Sequence, residues 1–221
     1  MRVGPEDGIP LLFVPPLFEE MNRTRALLAA VMRTLGAQGF CCTLPDLPGS
    51  GESERLLEAC GWEDWRAAVR AADRPALVAS FRGGALLDAV EAAAWWRFAP
   101  VSGLSLLRDL ERAASQHRPS RAKSRGAHDD PVPAPVDLAR GGREWLAGYP
   151  VAHALIDQLR QAEPAEVAPC RTVRLASDPR PANARLDGPA LWRRSEPSTA
   201  SELAGAIASD ISGWARRCGI C

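Results

Sequence analysis

One stretch constrains this chain more than any other: Ala76, Leu77, Val78, Ala79, Ser80, Phe81, Arg82, Gly83, Gly84, Ala85, Leu86, Leu87. Its apolar start reads as a buried strand, the paired glycines as a tight turn, and the last three residues as the opening of a helix. Such a unit belongs to a layered α/β domain, with the turn at the C-terminal edge of the sheet. Ser80 and Gly84, small residues two before and two after, put Arg82 at the apex of that turn. A guanidinium stays protonated, so Arg82 cannot serve as an acyl-transfer nucleophile.

Strands and amphipathic helices alternate around this unit. The apolar run Leu11 to Val14 stops at Pro15 and Pro16, as a buried parallel strand does. Asn22 can cap a helix reaching Leu35, with Leu27, Leu28, Val31 and Met32 at helical spacing. Phe40 to Leu44 is the next strand, and Pro45 to Ser53 a glycine-rich loop. A helix over Trp62 to Ala72, the Leu77 strand, a helix over Gly84 to Ala94 and a strand over Trp95 to Pro100 complete a βαβαβαβ pattern. That order implies a doubly wound, mainly parallel sheet with right-handed crossovers.

The character then changes. Ser115 to Val136 is rich in Arg, Ser, Pro and Asp and poor in large apolar residues, which marks a flexible insertion. A helix over Val151 to Gln161, strands over Thr172 to Ala176 and Ala190 to Arg194, and a helix over Ser201 to Arg217 follow. The expectation is one α/β domain over 1–221, with about six strands and a cap insertion at 104–165, flexible over 115–143.

With 27 Lys and Arg against 27 Asp and Glu, bulk charge gives no reason to expect nucleic acid or an acidic membrane as partner. No apolar run reaches the length of a membrane span, and residues 1–7 do not lead into a signal-peptide core, so the expected compartment is the cytoplasm. Cys41 and Cys42 point to opposite faces of a strand, and Cys218 and Cys221 have no second pair. The six cysteines therefore read as plain thiols, and neither a metal nor a cofactor is expected.

Three stretches carry a family resemblance: Val14 to Arg25 (with Glu19, Glu20, Met21 and Asn22), Leu44 to Ser53 (Pro-Asp-Leu-Pro-Gly-Ser-Gly-Glu-Ser after Leu44) and Phe81 to Leu87. Together they resemble the α/β-hydrolase superfamily, and more narrowly the type 2 hydrolases associated with bacterial exosortase A systems. Pro100 to Gly103, Gly148 to Pro150 and Leu191 to Arg193 fit the same group. The resemblance implies an α/β-hydrolase fold, hydrolysis of ester or acyl bonds, and a role linked to exopolysaccharide production. Its ligand would be a small molecule or an acyl- or saccharide-linked compound.

Against that family pattern two of three triad roles are unfilled. Arg82 stands at the nucleophile position, and Arg194 to Ser198, after the expected last strand, contain no histidine. Asp178 sits where the acid is expected, or is a turn residue before Pro179. His117 and His128 fall in the insertion and His153 on a helix.

Two readings of Arg82 stand side by side. Together with backbone N–H groups near Gly83 and near Leu17 or Phe18, it could hold a carboxylate or phosphate. Alternatively Glu19 or Glu20 closes on it as an internal ion pair. Were the protein a hydrolase, Glu20 would be the base that activates water. Asn22 and Ser102 are further pocket candidates, while Ser80 reads as a packing residue.

Overall fold

A computed structural model describes residues 1–51, 53–72, 74–116, 142–194 and 200–221. Nine strands run in chain order: β1 Arg2–Val3, β2 Ile9–Val14, β3 Phe40–Thr43, β4 Leu77–Phe81, β5 Ala94–Phe98, β6 Arg143–Leu146, β7 Tyr149–Ala152, β8 Cys170–Leu175 and β9 Ala184–Leu186. The helices are α1 Glu19–Gly36, α2 Trp62–Arg70, α3 Gly103–Gln116, α4 His153–Gln161 and α5 Ser201–Arg217. Seven strands form one sheet in the order β1-β3-β2-β4-β5-β8-β9, parallel throughout except for the antiparallel edge strand β1. The doubly wound, mainly parallel sheet expected from the sequence is present.

Strand periodicity sorts the core into two layers. Leu11, Phe13, Ala79, Phe81, Trp96 and Phe98 face α1 and α5, where Leu28, Met32, Ile207 and Ile211 cover them. Leu12, Val14, Val78 and Trp95 face the other way, against Trp65 and Val69 of α2, Leu106 and Leu110 of α3, and Leu155 and Leu159 of α4. Strands buried on both faces explain why β2 and β4 read as unbroken apolar runs. Between β5 and β8 the chain contributes α3, the antiparallel hairpin β6-β7 and α4. None of the described helices is long and apolar enough to cross a membrane.

Four local expectations are corrected. Ala190 to Arg194 is not a strand: Leu191–Arg193 is a single 3-10 turn, and the last strand is the earlier, shorter β9. The apex is followed by a five-residue 3-10 turn, Arg82–Leu86, and not by a helix to Ala94. Helix α1 starts at Glu19 without a side-chain cap, so Asn22 lies inside it. The start expected for α4 at Val151 belongs to β7. Of the stretch 115–143, residues 115 and 116 end α3, 142 and 143 lead into β6, and 117–141 lie outside the described residues.

Candidate functional site

Strand β4, buried along its whole length, delivers Arg82 to the C-terminal edge of the sheet. Arg82 takes φ +53°, a left-handed conformation that costs a non-glycine residue about 1 kcal/mol. The turn then passes against the end of β2. A Cβ at Gly84 would lie 2.5 Å from the carbonyl oxygens of Val14 and Pro15, so only glycine allows that approach. Leu17 and Leu106 pack over Gly83, within 3.2–3.3 Å of where its Cβ would stand.

The Arg82 side chain folds onto Glu20 in the first turn of α1. Its Nε donates to both carboxylate oxygens at 3.2 Å and its Nη2 to Oε1 at 2.8 Å. Nη1 donates to the Ala99 carbonyl at 3.3 Å, and Nη2 lies 3.6 Å from Asp109 Oδ2. Cζ sits 4.5 Å from the ring centroid of Trp192, a cation–π contact. Burial pushes the Glu20 carboxyl above its ordinary value, with the Arg82 guanidinium pulling against it. With both oxygens engaged by Arg82, Glu20 is poorly disposed to activate water. Glu19 points elsewhere: Tyr149 donates its hydroxyl hydrogen to it at 2.9 Å, and Asn22 Nδ2 donates at 3.2 Å.

The remaining sequence candidates have separate tasks in the packing. Phe18, at φ +56°, sets its ring edge-on to Trp65 and Tyr149, with centroids 5.6 and 5.8 Å away. Leu17 is buried in the same cluster. Ser102 Oγ accepts the Ser105 N–H at 3.2 Å and so caps the first turn of α3. Ser80 donates its hydroxyl hydrogen to Asp88 Oδ2 at 2.6 Å on the far side of β4 from the α1 layer. Arg97 Nε and Nη2 grip the same Asp88 carboxylate at 2.8 Å. His153, the described histidine, is exposed at the start of α4; His117 and His128 lie outside the described residues.

Asp178 follows β8 in a tight turn. It accepts Arg180 Nε at 2.9 Å and Nη2 at 2.7 Å, the Arg180 N–H at 3.1 Å, and Arg174 Nη1 at 3.0 Å. The Arg180 guanidinium beside it, with these further donors, holds its carboxyl well below the usual carboxylate range. It serves as an arginine clamp, with no histidine among its partners.

Above the apex lies a cavity of about 450 Å³. Five arginines line it (Arg82, Arg108, Arg112, Arg180 and Arg193) against two acids, Asp109 and Asp178. Arg112 and Arg180 are paired to those two acids. Arg108 and Arg193 are exposed and make no ion pair or hydrogen bond through their side chains with the described residues. Arg174, behind the wall, is 7% exposed. Burial, then the charge of Arg180, push its guanidinium below the ordinary value, and Arg82 adds to the effect. Surplus positive charge therefore gathers at this end of the sheet.

Of the sequence-nominated residues, the structure brings Arg82, Glu20 and Asp178 to this end and leaves Ser102 in a helix cap. Sequence reasoning missed Asp109, Trp192, Arg108, Arg180 and Arg193. Arg108 and Arg112, one helical turn apart, were a weak signal; the others meet only through the fold. Asp88, alone among apolar neighbours from Ala85 to Val90, was the signal for the buried tie to Arg97.

No family model matches the sequence, and no curated protein matches it either. Solved structures do. The mouse alpha/beta hydrolase domain-containing protein 10 superposes with a TM-score of 0.56 at 15% identity, over 97% of this chain and 93% of that one. Est1E from Butyrivibrio proteoclasticus, solved with ferulic acid bound, gives 0.54 at 13% identity, over 98% and 93%. The thioesterase domain from the curacin biosynthetic pathway gives 0.53 at 14% identity, over 96% and 93%. The chain has the α/β-hydrolase fold.

Proposed function

We propose that this hydrolase-fold protein binds an anionic small molecule and does not hydrolyse it. The observation that carries the reading is the arginine excess around the 450 Å³ cavity over the apex. Guanidinium groups donate charge-assisted, often bidentate hydrogen bonds that suit carboxylates and phosphates. Arg82 itself is spent on Glu20 and Arg180 on Asp178, so they shape the cavity wall, and the ligand falls to Arg108 and Arg193. The described part of the cap segment 104–165 contributes through α3, which supplies Arg108 to the cavity. The resemblance to exosortase-associated hydrolases supports a cytoplasmic role beside bacterial exopolysaccharide production. It would also support ester or acyl hydrolysis, but the closed Arg82–Glu20 pair and the Ser80–Asp88 bond occupy the base and the serine beside the apex on which that reading depends.

Two measurements test this together. Calorimetric titration with pyrophosphate is expected to show binding that weakens as salt rises and falls about tenfold or more in Arg193→Gln. Fluorophosphonate labelling and an aryl-ester panel are expected to give neither a labelled serine nor turnover. A labelled serine with turnover lost on its removal would overturn the proposal.

A further inference from the structure

The arginine-walled cavity has a neighbour across Trp192. A second cavity of about 390 Å³ shares Asp109, Arg112, Trp192 and Arg193 with it and continues toward α1 and α3. The two cavities therefore adjoin, with Trp192 in the wall they share. Their walls differ in character. The second cavity is faced by Leu17, Leu106, Leu110, Ala113, Ala147 and Trp192. Charged residues also reach it but, apart from Arg193 in the shared wall, they neutralise one another. Glu20 is held by Arg82, and Arg23 donates to Glu19 at 3.4 Å and to the Trp192 carbonyl at 3.1 Å. The Arg112–Asp109 pair stands at the boundary. The first cavity thus carries unpaired positive charge from Arg108 and Arg193, and the second offers apolar surface beside charges that, Arg193 apart, are cancelled.

We infer that the ligand is an amphipathic anion: a carboxylate or phosphate head between Arg108 and Arg193, carrying an alkyl or aryl group against Leu106, Leu110 and Trp192. This rests on the anion-binding reading and deepens it. A head alone would leave the apolar half wet, and an uncharged chain would leave the arginines unanswered. Joining both in one molecule lets a single binding event use both walls. The combined size falls in the range of small-molecule sites.

A homologous series tests it with the intact protein. Inorganic phosphate, methyl, butyl and hexyl phosphate, hexanoate and hexanol would be titrated by calorimetry at fixed salt. Affinity is expected to climb about two- to fourfold per added methylene, as burial of apolar surface dictates. Hexanol is expected to bind far more weakly than hexyl phosphate. Arg193→Gln should weaken every anion by a similar factor and leave the chain-length slope unchanged; Leu110→Gln should flatten the slope. The comparison of hexanoate with hexyl phosphate identifies which head the arginines prefer. Equal affinity for phosphate and hexyl phosphate would overturn the amphipathic inference and leave the anion site standing. No binding by phosphate or by any alkyl anion would overturn both, as would hexanol binding as tightly as hexyl phosphate.

Discussion

Arg82 and Glu20 close on each other across 62 residues of sequence, Nη2 to Oε1 at 2.8 Å, with both side chains nearly out of solvent. Removing one partner strands a charge in the interior. Glu20→Gln is expected to lose about 3–5 kcal/mol of unfolding free energy. The double change Arg82→Met with Glu20→Leu should recover most of it, because paired desolvation costs vanish together. Urea unfolding with an unchanged m-value reads both; a loss under about 1 kcal/mol in the single variant would show that the pair does not hold the apex.

The Ser80–Asp88–Arg97 cluster makes a graded prediction. Ser80→Ala removes one hydrogen bond to a carboxylate that keeps Arg97, and should cost about 1.5–3 kcal/mol. Asp88→Asn leaves Arg97 unmatched in the core and should cost about 3–5 kcal/mol. Neither change should alter pyrophosphate affinity, since both residues lie off the arginine-lined cavity. Equal losses in the two variants would contradict this assignment of roles.

Asp178 sets a pH signature. Its carboxyl is depressed in the folded chain by Arg180 and Arg174, so its charged form contributes stability above the ordinary carboxylate pKa of about 3.9. That contribution fades as pH falls below this value toward the folded-state pKa. The advantage of the wild type over Asp178→Asn should be flat between about pH 7 and 5 and shrink steadily below about pH 4. A gap that grows on acidification would refute the clamp.

Two glycines should respond in opposite directions. At Gly84 a methyl group meets two backbone carbonyls, which cannot step aside, and Gly84→Ala should cost about 3 kcal/mol or more. Gly205, inside α5, has nothing within 4 Å of an added Cβ. Gly205→Ala should gain about 0.5–1 kcal/mol by restricting the unfolded chain. Thermal melts of the pair settle the signs.

Much of this architecture was legible because periodicity is local. Helix α5 has the bounds its apolar spacing indicates, and β4 was plain from its buried run. The misreadings have particular causes. Leu191 and Trp192 are as apolar as a strand demands, yet they are buried from a 3-10 turn, the ring of Trp192 lying against Arg82. The true edge strand, Ala184–Leu186, is three residues long with a central arginine and offers no apolar signal. After the apex, Ala85 to Leu87 favour a helix, but Asp88 is drawn into Ser80 and Arg97 and the chain leaves the helical path. The candidate site was half legible: Arg82 and Glu20 stood out by position, whereas Arg108, Arg180 and Arg193 meet only when distant elements fold together.

The pairing of α1 with α5 has a bearing on synthesis. The layer over Phe81, Trp96 and Phe98 is completed by Leu203, Ile207 and Ile211, far downstream of the strands they cover. At a ribosomal pace of roughly 5–20 residues per second, the hundred or so residues between β5 and α5 keep that aromatic face without its α5 cover for about 5–20 seconds. During this interval the nascent chain presents its stickiest surface to the cell. The order in which its two outer helices are made thereby sets how long that face waits for its second cover.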